Sequence, residues 1–182
     1  MRTLILGGVR SGKSRLGEQY ALASGLQVVY VATTVPEGDV ELQERVRQHR
    51  ARRPSTWLTI EEPFELGQVL RANASPERCL LVECLTLWLT NLLCERPDQL
   101  ESERDSFCEA LTHVTGELIL VGNETGLGVV PLGTLSRRFV DVSGELHQKL
   151  AVLCERVSLT VAGLAIDLKS PVSASAINAD FD

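Results

Sequence analysis

Gly7-Gly8-Val9-Arg10-Ser11-Gly12-Lys13-Ser14 follows the apolar triplet Leu4-Ile5-Leu6 almost at the start of the chain. The octapeptide satisfies the G-x-x-x-x-G-K-S spacing of a phosphate-binding loop. Its flanks supply the required context, a strand before it and a helix over Arg15 to Ala23 after it. Gly7, Gly8 and Gly12 allow tight curvature and close approach of phosphate to the backbone. The helix behind the loop adds free N–H groups and a positive end. Lys13 is placed to reach the β- and γ-phosphates, and the Ser14 hydroxyl to help hold Mg²⁺. Val9 completes the nucleotide-binding stretch. Arg10 either approaches the transferred phosphate or projects to solvent, and Ser11 either fits the turn or takes part in transfer.

The rest of the 182-residue chain reads as one α/β domain. Gln27 to Thr33, Cys79 to Cys84, Leu118 to Val121 and Val157 to Val161 are short apolar runs of strand length, and Ala165 to Leu168 is a weaker one. Helical segments are expected over Val40 to Arg52, Glu65 to Ala72, Leu87 to Cys94, Glu101 to Thr115 and Leu146 to Cys154. Alternation of this kind predicts a predominantly parallel sheet covered on both faces. The single domain is drawn over residues 1–169, with 170–182 as a flexible tail.

Composition restricts the setting. The formal charge of −6 and 44% hydrophobic content offer no general attraction to nucleic acid or anionic lipid. Leu4 to Leu6 is too short for a signal core or a membrane span, so a cytoplasmic protein without membrane insertion is expected. The five cysteines have no close C-x-x-C pairing and read as buried thiols rather than a metal site or disulfide framework.

Two further groups of residues carry possible chemistry. Glu83 ends an apolar strand, where a carboxylate would hold the water shell of Mg²⁺ or polarise an acceptor hydroxyl; a helix-capping or solvated acid is the plainer alternative. Arg45 and His49 share a helix face at i and i+4, with Arg52 or Arg53 one turn on. His49 could attack phosphorus while the guanidinium groups stabilise phosphate charge, or the run could be an exposed basic face. Glu61 and Glu62 fit either ribose or base contacts or a solvated turn. His113 and His147 form no ligand triad by spacing.

The segments GGVRSGKSR at 7–15, YVATT at 30–34, ERVRQHRARRPSTWLTIEEP at 44–63, LLVECLTLWLTNLL at 80–93, LILVGNETGLGVVP at 118–131 and SRRFVDVSG at 136–144 together resemble the bifunctional adenosylcobinamide kinase/adenosylcobinamide-phosphate guanylyltransferase family, over about residues 2–169. The resemblance implies a RecA-like P-loop domain with two activities. One phosphorylates the aminopropanol hydroxyl of adenosylcobinamide with ATP or GTP. The other transfers GMP from GTP to adenosylcobinamide phosphate, releasing pyrophosphate through a guanylylated histidine. His49 is the residue in the matching position. By the same correspondence Ala32, Thr33, Thr34, Arg50, Ala51, Arg52, Arg53, Glu61 and Glu83 contact nucleotide, Lys13 stabilises transferred charge, and Ser14 with Glu83 serves Mg²⁺. A homotrimer is also implied.

The sequence departs from the family pattern at three places. Val140 stands where relatives commonly have arginine, His147 where they have asparagine, and Ala165 where they have proline. These bear on corrinoid or subunit contacts rather than on nucleotide chemistry. Two alternatives stay open at this level: another small-molecule P-loop kinase, in which His49 stays unmodified, and a nucleotide-dependent assembly switch that transfers nothing.

Overall fold

Period-two burial organises the molecule: in the first strand Leu4 and Leu6 face one core cluster, while Ile5 faces another. A computed structural model describes residues 1–34, 44, 47 and 53–171. In it β1 is Arg2–Gly7, α1 Lys13–Ala23, β2 Gln27–Ala32, β3 Leu58–Glu61, α2 Leu66–Asn73, β4 Arg78–Glu83 and α3 Leu85–Glu95. A short 3₁₀ turn at Pro97–Gln99 leads into α4, Leu100–Thr112; β5 Glu117–Asn123, α5 Thr134–Leu153, β6 Arg156–Val161 and β7 Leu164–Lys169 complete the order.

The seven strands form one sheet in the order β3-β2-β4-β5-β1-β6-β7. Every pairing is parallel except β6 with β7, which is antiparallel. This is the α/β, predominantly parallel arrangement of a RecA-like P-loop domain. The parallel strands all release their chain at one edge of the sheet, and the phosphate loop leaves β1 there.

The two faces are covered unequally. Leu4, Val31, Leu80, Val82, Leu118 and Leu120 belong to the larger cluster, with Leu66 and Leu70 of α2, Trp88 and Leu89 of α3, Phe107 of α4 and Leu146 and Leu150 of α5. Trp88 anchors it: its indole N–H donates to Phe64 O at 2.6 Å and its ring meets Phe107 at 5.1 Å between centroids. On the other face Ile5, Val28, Tyr30, Leu81, Ile119 and Val121 pack with Ala21 of α1.

Several boundaries differ from the sequence reading. The last helix begins twelve residues before the expected Leu146, at Thr134. Arg137, Arg138, Asp141 and Gly144 dilute its apolar signal, although Phe139, Val142, Leu146 and Leu150 keep helical spacing on the core side. The helix expected to run to Thr115 stops at Thr112. Of the expected 40–52 helix only Glu44 and Arg47 are described, and they pair at i,i+3; the rest, and residues 172–182 of the expected tail, lie outside the described residues. The five cysteines are free, with Cys79 and Cys154 buried and Cys94 exposed. Burial pushes the Cys79 thiol up to about 11 and the Cys154 thiol up to about 12.

The antiparallel hairpin at the end of the chain supports the phosphate loop. Ala162 (φ 52°) and Gly163 (φ 82°) form a two-residue turn with positive φ at both positions, the type I′ signature. Gly163 N–H donates to Ser11 O at 2.9 Å. Below it Thr160 Oγ1 donates to Leu6 O at 3.1 Å and accepts from Ser11 Oγ at 2.8 Å. Gly12 sits at φ 100°, and a Cβ there would lie 3.2 Å from Gly163 Cα, so both its backbone angle and the hairpin's approach call for glycine.

Two outcomes are expected from this packing. A Cβ on Gly67 would come within 2.9 Å of Ser106 backbone atoms, so Gly67→Ala forces α2 from α4 and costs about 1–3 kcal/mol by overpacking, against a helix-propensity gain of about 1 kcal/mol; urea denaturation should show net destabilisation. Thr160→Val keeps shape but strands the Ser11 hydroxyl, and should cost about 1–2 kcal/mol in the same measurement while weakening nucleotide binding several-fold by titration.

Candidate functional site

The residues following β1, β4 and β5 converge because those strands are adjacent and in register. Glu83 pairs with Val121, and Gly7 with Asn123. α1 begins directly at Lys13, so the last residues of the phosphate loop are also the first turn of the helix, whose unpaired N–H groups point into the site. Lys13 is 8% exposed, and its ammonium donates to Gly8 O at 3.1 Å, which holds the charge over the loop. Burial lowers its affinity for a proton, with Cys84 and Glu83 opposing that shift.

Ser14 and Glu83 meet directly. The Ser14 hydroxyl donates to Glu83 Oε1, while Glu83 Oε2 is buried with no hydrogen-bond partner among the described residues. Burial raises the Glu83 pKa; the Ser14 hydrogen bond, Lys13 and Arg53 lower it, and Glu18 raises it. A hydroxyl beside a carboxylate with a spare oxygen suits a hard cation that takes oxygen ligands. Among the described residues no three His, Cys, Asp or Glu side chains gather as a metal cage. Mg²⁺ takes one or two protein oxygens, completed by water and substrate phosphates, and needs no such cage. Ser14 and Glu83 therefore fit the ion.

Glu18, which the sequence reading missed, lies one turn after Ser14 on α1 and carries a buried, unpartnered Oε1. Its i,i+4 spacing from Ser14 was the available signal. Tyr30, also missed, is 2% exposed, and the guanidinium of Arg53 stacks 3.3 Å from its ring centroid. Burial raises the Tyr30 pKa, so the phenol stays neutral. Arg53 is thereby fixed at the same edge as Glu83.

The remaining expected residues separate into three groups. Gly8, Val9 and Arg10 are exposed on the loop, with Arg10 at φ 57°, while Ser11 is tied to Thr160. Thr33 is fully buried, and its hydroxyl donates to Cys84 O and accepts from Cys84 N–H, both at 2.8 Å; it joins the ends of β2 and β4. Ala32 and Thr34 flank it and are part-exposed. Arg53 and Glu61 line a pocket of about 390 Å³ with Pro54, Ser55, Trp57 and Thr59. Glu62 instead accepts the Phe64 and Glu65 N–H groups at 2.8 and 2.9 Å and fixes the turn into α2. His49, Arg50, Ala51 and Arg52 lie outside the described residues.

His113 is exposed. His147 is buried, with Nδ1 3.9 Å from Glu124 Oε2; burial lowers its pKa and Glu124 opposes that shift.

The chain is similar to known proteins along almost its whole length. The bifunctional adenosylcobalamin biosynthesis protein CobP of Pseudomonas aeruginosa is 59% identical over 170 residues, covering 93% of this chain and 98% of that protein. The protein CobU of Escherichia coli, similarly described as bifunctional, is 34% identical over 93% of this chain and its own full length. Among solved structures, the flagellar accessory protein FlaH of Methanocaldococcus jannaschii aligns with a TM-score of 0.52 at 16% identity, over 93% of this chain and 78% of FlaH, a likeness of fold alone. Residues 3–168 match the family described as cobinamide kinase / cobinamide phosphate guanyltransferase, and the chain belongs to that family.

Proposed function

We propose that this chain phosphorylates adenosylcobinamide and then transfers GMP to the phosphorylated product, as a bifunctional adenosylcobinamide kinase and guanylyltransferase. The observation that carries the reading is the phosphate loop whose Lys13 lies over Gly8 O and whose Ser14 is bonded to Glu83 at the end of β4, within a chain of this family.

In the kinase half, the loop N–H groups and the start of α1 receive the phosphates of ATP or GTP, and Lys13 neutralises charge on the transferred group. Ser14 and Glu83 would hold Mg²⁺, which supplies Lewis-acid neutralisation and orientation of the phosphates when bound. Thr33 keeps β2 and β4 at one level, so that the Glu83 carboxyl stays opposite Ser14.

In the guanylyltransferase half, His49 attacks the α-phosphorus of GTP. A nitrogen–phosphorus bond forms, pyrophosphate leaves, and the phosphate oxygen of adenosylcobinamide phosphate then displaces the imidazole to give adenosylcobinamide-GDP. Arg50, Ala51 and Arg52 follow His49 directly in the chain, and Arg53 continues this stretch into the pocket that Glu61 also lines, which supports placing the guanylylation nucleotide there. The stacking of Arg53 on Tyr30 supports a phosphate-facing role, because it fixes the charge with little loss of side-chain freedom. Among the described residues no helix is long and apolar enough to cross a membrane. We place the enzyme in the cytoplasm, as a homotrimer, with adenosylcobinamide and its phosphate as acceptors.

Incubation with GTP labelled at the α-phosphate should give an acid-labile GMP adduct that maps to His49 and is discharged by adenosylcobinamide phosphate; label surviving in His49→Ala would show the wrong nucleophile. Glu83→Gln should raise the Mg²⁺ concentration needed for phosphorylation and reduce its rate about 100-fold or more. Removing divalent metal with a chelator should stop both half-reactions in the wild type, as followed by product chromatography.

A further inference from the structure

The end of β5 and the loop after it account for none of the nucleotide contacts above, yet they adjoin the phosphate loop. Asn123 is registered against Gly7, and the next residue, Glu124, donates its N–H to Gly7 O at 3.0 Å. Thr86 Oγ1, on the first turn of α3, accepts Asn123 N–H at 2.7 Å and fixes the strand end from the other side. Glu124 is therefore seated beside the first turn of the loop, where the Lys13 ammonium rests on Gly8 O. That is the end of the loop at which the transferred phosphate meets its lysine.

The carboxylate of Glu124 is itself positioned. Oε1 accepts Gly126 N–H at 2.5 Å, and Oε2 is turned toward His147, whose Nδ1 lies 3.9 Å away, too far for a hydrogen bond. The side chain is 22% exposed, and its rotamer is held through Oε1 by the backbone of Gly126. Glu83 differs in both respects: one oxygen is committed to Ser14 and the other is buried with no hydrogen-bond partner among the described residues.

Beyond Glu124 the loop becomes apolar and exposed. Leu127 is 83% exposed, Val129 97%, Val130 65% and Leu132 95%, with no charged residue from Thr125 to Ser136. A run of this kind marks an interaction surface, and its direct chain continuity with the phosphate-transfer site points to the acceptor as its occupant. The acceptor is a broad macrocycle that carries methyl groups beside its polar amides and bears its reacting hydroxyl on an aminopropanol arm. An apolar strip ending at a carboxylate beside the phosphate loop matches both parts of it.

We propose that the loop between β5 and α5 is the acceptor side of the kinase centre, in which Glu124 takes the proton of the attacking hydroxyl and Leu127, Val129, Val130 and Leu132 seat the macrocycle. The inference rests on the kinase reading given above. The hydroxyl oxygen forms a bond to the γ-phosphorus while the bond from that phosphorus to the β–γ bridging oxygen breaks. The electron pair leaves with the nucleoside diphosphate, and the hydroxyl proton passes to Glu124 Oε2.

The test is steady-state phosphorylation of adenosylcobinamide by wild type, Glu124→Gln, Glu124→Asp and Val129→Asp, with nucleotide affinity from a fluorescent analogue and mass from sedimentation. Glu124→Gln should lose about 100-fold or more in kcat. Its nucleotide Kd should stay within about twofold of wild type and Glu124→Asp should recover part of the rate, both expected when only the proton acceptor is altered. Val129→Asp should raise the KM for adenosylcobinamide about tenfold at unchanged KM for ATP and unchanged mass. A loss under about tenfold in Glu124→Gln, measured against the general-base scale, would overturn the catalytic role. An unchanged acceptor KM in Val129→Asp, or a change of mass showing that a second copy covers the strip, would overturn the acceptor seat. Absence of turnover by wild type itself would instead remove the kinase reading and this inference with it.

Discussion

The Ser14–Glu83 hydrogen bond joins the helix that follows β1 to the end of β4, and it depends on how β1 and β4, separated by β5, are registered. Parallel register sets that relation: Gly7 is level with Asn123, and Glu83 with Val121 and Ile5, two residues lower, which leaves room for the phosphate loop to bring Ser14 back over Glu83. A one-residue slip in either ladder would exchange the side chains packed in the two core clusters, which are covered by different helices, and would move Glu83 away from Ser14. The interior of the sheet thus fixes the relative positions of a hydroxyl and a carboxylate that lie far apart in the chain. Thr33 extends the constraint to β2 by bonding both backbone groups of Cys84.

The electrostatics at this edge run against the composition. The chain carries a formal charge of −6, yet the phosphate loop brings together Lys13, the positive end of α1 and, across Tyr30, Arg53. Glu18 and Glu83 sit among these charges, so the site is not a simple anion trap. A set of buried oxygens beside a buried ammonium favours a ligand that carries both signs, as a metal–nucleotide complex does. Local geometry therefore decides what binds, and net charge says only what does not approach the remaining surface.

Legibility in the sequence followed the distance over which each feature is determined. The phosphate loop is local, eight residues between a strand and a helix, and Lys13, Ser14 and Gly12 were readable with their tasks. Glu83 was readable as a strand-end carboxylate, but its partnership with Ser14 needed the register of three strands. Thr160 lies 149 positions from Ser11, so nothing near either residue announces the hydrogen bond between them. Arg53 was seen as one of a basic run, while Tyr30, which orients it, read only as strand filler. Helix α5 was half legible because Arg137, Arg138 and Gly144 interrupt the apolar count, although the core-side spacing is kept.

The paired chemistry expected of the family places two demands on one sheet edge, and the strand order separates them. Phosphate loop, Ser14 and Glu83 occupy the centre, from β1 to β4, whereas Arg53 and Glu61 line their pocket at the β2–β3 end. Transfer to a hydroxyl needs the γ-phosphorus presented over the loop; guanylylation needs the α-phosphorus presented to an imidazole. One phosphate cradle cannot expose both atoms equally to one acceptor position, since in-line attack fixes the direction of approach at each phosphorus. The second nucleotide position proposed beside β3 would remove the conflict within one sheet. Tyr30 and Thr33, which are buried, and Glu83, which binds Ser14, lie between the two regions and serve both as shared structure.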